Sequence, residues 1–227
     1  MNNPLIIALD FESAEQARAL VAALGDSASF YKVGLELYAS AGMDFVRELK
    51  AQGHRVFLDL KLYDIGETVK RATAQVAKAQ VDFLTVHARR QVMEAALAGR
   101  RNSNLKILGV SVLTSMDDHD LHADGHTRGI AELVDLRVAN AMELGVDGIV
   151  CSALDVARVR EAAPRATLVV PGVRSPGARQ NDQKRVATPA EAIAQGADYL
   201  VIGRQVTRAE DAKSEVKKIL EELSVVA

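Results

Sequence analysis

The chain has 227 residues, 48% of them hydrophobic and 26% charged, enough for one large domain with a substantial core. A formal net charge of -2, aromatic residues at 4% and no tryptophan argue against a basic, base-stacking nucleic-acid surface. No apolar run approaches the roughly 20 residues of a membrane span, and the opening MNNPLIIALD has no positively charged leader region.

Taken in chain order, short apolar runs alternate with longer amphipathic stretches. LIIALD (5–10) leads into SAEQARALVAAL, which opens with Ser13 and Gln16 at capping-box spacing. SFYKVG (29–34) precedes MDFVRELKAQG, RVFLDLK (55–61) precedes TVKRATAQVAKA, and FLTVHA (83–88) precedes RQVMEAALAG. KILGVSVLT (106–114) is followed by the polar loop SMDDHDLHADGHTRG and then by GIAELVDLRVANAMELG. GIVCS (148–152) precedes ALDVARVREAA. TLVVPGV (167–173) runs through the loop RSPGARQNDQKRVA into TPAEAIAQG, where Pro189 takes a first helical position. YLVIGR (199–204) and AEDAKSEVKKILEEL close the series. Gly53, Gly99, Gly145 and Gly196 fall where helices should end.

The apolar runs are rich in Val, Ile and Leu and lack clean alternation, as parallel strands covered on both faces do. Eight strand–helix pairs without a linker predict a single (β/α)8 TIM barrel over residues 1–227. The alternative, an open doubly wound sheet, more often carries a Gly-rich fingerprint after its first strand, and ALDFESA has none. The lone cysteine, Cys151, cannot form an internal disulfide; it reads as a small buried hydrophobe in a reducing, cytoplasmic setting.

In a barrel the ends of the strands converge on one mouth, and here they are polar. Asp10 ends the first run, Lys32 lies in the second, and Asp59 and Lys61 in the third, with Asp64 just beyond. His87, Thr114, Arg174 and the pair Gly203-Arg204 end later runs. One such charge alone reads as a rim salt bridge; the whole set does not, because buried charges are costly unless paired. Asp59 and Lys61, two apart, share one side of their strand, and a neighbouring Lys32 completes a Lys–Asp–Lys array that favours both signs of charge. Such an array is a fixed field able to hold an ammonium as proton donor beside an anion. Gly203 and Arg204, after the eighth strand, suit a phosphate. His119, His122 and His126 share a loop with four aspartates and read as a solvated loop; no metal site is expected.

DLKLYDIGET (59–68) resembles the Asp-x-Lys-x-x-Asp-Ile-x-x-Thr signature of orotidine 5′-phosphate decarboxylases, and ALD, YKVG, VHA, VLTSMDDHDL, GIVCSA, PGVR, NDQKRVATPAEAI and GADYLVIGR follow the bacterial form in order. The resemblance implies decarboxylation of orotidine 5′-phosphate to uridine 5′-phosphate in pyrimidine biosynthesis, without metal or organic cofactor. It implies that Lys61 protonates C6 of the pyrimidine, that Asp59 stands near the departing carboxylate, and that Lys32 and Asp64 complete the network. Asp10 and Lys32 would bind ribose hydroxyls and Thr114 the pyrimidine. Gln183, Gly203 and Arg204 would bind phosphate, with Arg174 nearby. Asp64 and Thr68 would come from the other subunit of a homodimer with shared active sites.

The chain departs from many relatives at Tyr63, at Gly66-Glu67, and at RRQ (89–91) after VHA, which bears on packing at the mouth and the dimer contact more than on activity. Two other readings stay open. One is a sugar-phosphate relative that shares the Asp-x-Lys-x-x-Asp element and uses magnesium. The other is a noncatalytic nucleotide-binding protein that kept the fold.

Overall fold

The computed structural model describes residues 3–176 and 187–224. All eight apolar runs become parallel strands: β1 (Leu5–Ala8), β2 (Phe30–Gly34), β3 (Arg55–Leu62), β4 (Phe83–His87), β5 (Lys106–Val110), β6 (Gly148–Val150), β7 (Thr167–Pro171) and β8 (Tyr199–Ile202). They pair in sequence order, and β8 returns to β1 to close the barrel. The helices are α1 (Ala14–Leu24), α2 (Leu35–Ala51), α3 (Gly66–Lys78), α4 (Arg90–Arg100), α5 (Asp118–Ala123), α6 (Ile130–Leu144), α7 (Val156–Ala162), α8 (Pro189–Ala194), α9 (Arg204–Thr207) and α10 (Ala212–Ser224).

Several strands stop short of the apolar text. KILGVSVLT leaves the sheet at Val110, so Thr114 lies in a loop, and YLVIGR leaves at Ile202, so Gly203 caps the one-turn α9. The polar loop after β5 contains α5, capped reciprocally by Asp117 and Asp120. Three of the four expected terminal glycines have positive φ: Gly53 and Gly196 just past their helices, and Gly145 as the left-handed cap of α6. Gly99 does not end a helix. It sits inside α4, where a Cβ would lie 2.3 Å from the Lys70 carbonyl oxygen of α3, so its role is close helix–helix approach.

Two apolar clusters build the barrel. The larger joins outward strand residues such as Ile7, Val33 and Leu58 to the helices. The smaller fills the interior with Ile6, Ala8, Phe30, Phe57, Phe83, Leu108 and valines of β5 to β8. Phe30, Phe83 and Tyr199 meet edge to face at centroid distances of 5.1 to 5.6 Å, and the Arg55 guanidinium sits 4.0 Å from the centre of the Phe30 ring.

A repeated carboxylate clamps the same end. Asp82 accepts from the Val56 N–H at 2.9 Å and from Lys50 at 2.7 Å. Asp147 accepts from Ile107 N–H at 2.8 Å and pairs with Arg100. Asp198 accepts from Leu168 N–H and from Arg160, each at 2.7 Å.

Successive inward residues of a strand are two apart. Along β2 they run Phe30, Lys32, Gly34; along β3, Phe57 then Asp59; along β4, Phe83, Thr85, His87; along β1, Ile6, Ala8, then Asp10 just beyond. Each row turns from apolar to polar at its C-terminal end, the end at which barrels of this kind carry their sites.

Candidate active site

β2 and β3 pair with Lys32 beside Phe57 and Gly34 beside Asp59, which brings the two charged rows together. Lys32 Nζ donates to Asp10 Oδ1 at 2.8 Å and stands 3.7 Å from Asp59 Oδ2. Lys61 Nζ donates to the same Asp59 oxygen at 2.8 Å. The side chains of Lys32 and Asp59 are only 10% and 12% exposed. Burial alone pushes the Asp59 carboxyl up, but the charges of Lys32 and Lys61 and hydrogen bonds from Lys61 and Thr85 outweigh it and hold Asp59 below the ordinary carboxylate value. Asp59 is therefore an anion between two lysines at neutral pH.

Two backbone features shape this array. Lys61 has φ +47°, a region that side-chain-bearing residues seldom adopt, at a register shift between β3 and β4. Gly34 is extended and under no such strain, yet a Cβ there would lie 2.9 Å from Lys32 Nζ and 3.1 Å from Asp10 Oδ1. Its bare Cα makes room for the ion pair.

A cleft of about 640 Å³ opens beside the array and is lined by Asp10, Lys32, Arg174, Gly203 and Arg204, together with Glu36 and Arg208. Five of the sequence-expected residues thus share one cavity, with Asp59 and Lys61 joined to it through Lys32. Arg174 is buried, and one guanidinium nitrogen donates to the Val173 carbonyl. Gln183 lies outside the described residues. Thr114 is half-buried in the loop between β5 and α5.

Asp64 and Thr68 do not join the array of their own chain. Asp64 is exposed and accepts from its neighbour Ile65 N–H at 2.6 Å, while Thr68 lies in the first turn of α3. Around them, Tyr63 and Ile65 are 65% and 73% exposed. Tyr63 packs against His87 at 5.6 Å, and Arg89 lies 5.8 Å from the centre of the Tyr63 ring. Two of the departures from the resembled family, Tyr63 and Arg89, therefore meet each other at the mouth. Arg90 instead points to the helices, gripping Glu143 with two 2.8 Å hydrogen bonds. His87 is held below its ordinary value by burial, with Arg137, Lys61 and Arg89 adding to the effect.

In the loop after β5, Asp117, His119 and Asp120 bring one ligand atom each within 4.8 Å of one another. The Asp117 and Asp120 carboxylates already cap α5, which accounts for their proximity. Sequence reasoning passed over Thr85 and Gly34, which touch the array directly. A threonine inside an apolar strand was the one available signal for the first; the second, in YKVG, had none beyond glycine itself.

The family model described as orotidine 5′-phosphate decarboxylase / HUMPS family matches residues 3–219. An orotidine 5′-phosphate decarboxylase of Nitrobacter winogradskyi is 51% identical over 221 residues, covering 97% of this chain and 92% of the relative. The enzyme of the same name from Caulobacter vibrioides is 48% identical over 225 residues, covering 97% of each chain. Among solved structures, orotidine 5′-phosphate decarboxylase from Lactobacillus acidophilus superposes with a TM-score of 0.86 at 35% identity, over 98% of this chain and 99% of that one.

Proposed function

The chain belongs to the orotidine 5′-phosphate decarboxylase / HUMPS family, and from that premise we propose how its own residues carry out the reaction. It decarboxylates orotidine 5′-phosphate to uridine 5′-phosphate and carbon dioxide, a step of pyrimidine biosynthesis. The C6–carboxylate bond breaks, its electron pair stays on C6, and the proton that replaces carbon dioxide comes from the Lys61 ammonium. Asp59, held ionised, faces the substrate carboxylate and favours its departure, while Lys61 offsets the charge that develops on C6. Lys32 and Asp10 hold ribose hydroxyls. Gln183, Gly203 and Arg204 hold the phosphate, with Arg174 beside them, and Thr114 meets the base. No step needs a metal or an organic cofactor. The observation that carries this reading is the Lys32–Asp59–Lys61 array, its depressed carboxyl largely shielded from solvent, at the rim of a cleft that also holds Arg174 and Arg204.

The same reading makes the working unit a homodimer of single-domain subunits, with Asp64 and Thr68 completing the partner's site. Their distance from the hydrogen bonds of their own array, and the exposure of Tyr63 and Ile65 beside them, support it. A cytoplasmic setting fits a single, buried cysteine, Cys151. Mixing Lys61→Ala with Asp64→Asn tests the shared site: each is inactive alone, and partial recovery on mixing is expected. No recovery between two folded, exchanging dimers refutes it.

The test of the reaction is the ultraviolet absorbance of orotidine 5′-phosphate mixed with chelator-treated protein, beside Lys61→Ala. Rapid loss of the substrate signal with the native chain alone is expected. No loss directs attention to sugar phosphates with magnesium, the other chemistry within the family's description.

A further inference from the structure

We propose that Thr85, inside the barrel on β4, is a positioning residue that sets the Lys61 backbone and the Asp59 carboxylate through one hydroxyl. Its side chain is fully buried, one inward step above Phe83, and meets no solvent. The Thr85 Oγ1 accepts from the Lys61 backbone N–H at 3.0 Å and donates to Asp59 Oδ1 at 2.8 Å. These directions have no alternative. A backbone N–H can only donate and an ionised carboxylate can only accept, so the single hydroxyl proton must go to Asp59.

The need for such a group follows from the strand. β3 pairs with β4 at Leu58 with Leu84 and next at Leu62 with Val86, so β3 spends two more residues than β4 on the same stretch. Lys61 lies in that excess, at φ +47°. A residue held in a sparsely populated region persists only where its surroundings over-determine it. The Thr85 hydroxyl takes the Lys61 N–H within the interrupted ladder and so helps fix the bulge from which the lysine rises.

At the other end of the relay, Thr85 holds one oxygen of Asp59, leaving the second to Lys61 at 2.8 Å and Lys32 at 3.7 Å. The carboxylate is thereby prevented from turning about its last torsion, and the oxygen shared by the lysines stays between them. One hydroxyl ties the proton donor's backbone to the orientation of the acid beside it.

The inference rests on the reading of Lys61 and Asp59 as the reacting pair. The test compares Thr85→Val, which deletes the hydroxyl at nearly constant shape, with Thr85→Ser, which keeps it, using Lys61→Ala and the native chain as references. For a folded Thr85→Val, kcat for orotidine 5′-phosphate should fall about 10- to 100-fold, the scale of a hydrogen bond to a charged group. KM should change little, and Thr85→Ser should recover most of the loss.

A second readout needs no turnover: the carboxyl carbon resonance of Asp59, identified by its disappearance in Asp59→Asn. The groups facing that carboxylate are Lys32 from β2, Lys61 from β3 and Thr85 from β4, with Asp10 beyond Lys32 and His87 beside Lys61. Removing the Thr85 donor should raise its titration midpoint toward the ordinary carboxylate value.

Native kcat and an unmoved Asp59 midpoint in Thr85→Val, beside an inactive Lys61→Ala, overturn the role of Thr85 and leave the decarboxylase reading intact. A Thr85→Ser as impaired as Thr85→Val also overturns it, since the methyl rather than the hydroxyl would then matter. If the native chain itself shows no turnover, the decarboxylase reading fails, and the Asp59 midpoint alone decides for or against Thr85.

Discussion

Gly34→Ala is the smallest change that should disable the site while leaving the fold intact. Gly34 is extended, at φ -95° and ψ -176°, a conformation alanine adopts freely. The new methyl would stand 2.9 Å from Lys32 Nζ and 3.1 Å from Asp10 Oδ1. To reach ordinary contact near 3.4 Å, the ammonium must retreat by about half an ångström. A free surface lysine would do so at little cost, but Lys32 is buried and held at 2.8 Å by Asp10 and 3.7 Å from Asp59. Retreat weakens one charge-assisted hydrogen bond, worth about 1.5–3 kcal/mol. If the native geometry matters only in the transition state, kcat/KM for orotidine 5′-phosphate falls about 10- to 100-fold. Stability should fall by less than the worth of that bond, because alanine also restricts the unfolded chain, an offset of about 0.4–1 kcal/mol. Steady-state absorbance kinetics and urea melts on the same preparation provide the two numbers. Native kcat/KM, or a loss of activity that merely follows a loss of folded protein, refutes the argument.

Two further outcomes follow from other parts of the molecule. Gly99→Ala should lower the urea midpoint with an unchanged slope, by about 1–3 kcal/mol as overpacking does, because its Cβ would meet the Lys70 carbonyl at 2.3 Å and Thr73 Cβ at 2.9 Å; native kcat at 25 °C should persist, and undiminished stability contradicts the packing account. Asp59 is held below its unfolded value of about 3.9, so its contribution to stability is complete above that pH and is lost as pH falls through the lower folded value. Asp59→Asn should therefore flatten the acid limb of stability in urea melts below about pH 4, and an unaltered limb refutes the assignment.

Much of this architecture was legible because burial on two faces writes itself into sequence. Runs such as LIIA and LVV are apolar and buried at every position, and all eight were readable as strands. Their ends were not, because Val112 and Val173 remain buried after the backbone has left the sheet. Gly99 departs from its expected place at a helix end because a glycine needed for close approach looks, in one dimension, like a glycine needed for positive φ. At the site, charged residues announced themselves by their cost in an apolar run. Thr85 did not: a buried threonine carries no formal charge, and its partners are distant in sequence, Asp59 at 26 residues and Lys61 at 24. Gly34 acts by what it lacks. The link between Asp10 and Lys32 needed the β1–β2 pairing before it could be seen.

The site's energetics depend on its being built at one end only. Taking Asp59, Lys32 and Lys61 out of water is unfavourable, and their mutual attraction offsets that only with close geometry. The left-handed Lys61 adds a further cost, of about 1–3 kcal/mol. The opposite end of the barrel carries the compensating order. There the edge-to-face rings of Phe30, Phe83 and Tyr199 seal the interior under Arg55. Asp82, Asp147 and Asp198 each tie a backbone N–H of the preceding strand to a basic side chain. These clamps fix strand register where no substrate enters, and register is what sets Lys32 and Thr85 on either side of Asp59, each residue lying two positions beyond a phenylalanine ring. Because inward residues recur at a period of two, a one-residue slip of β3 would turn Asp59 toward the helices and bring Leu58 or Leu60 into the array. The charged triad is therefore specified from below: the apolar end determines where the strands lie, and the polar end inherits positions in which a carboxylate can stay ionised between two lysines.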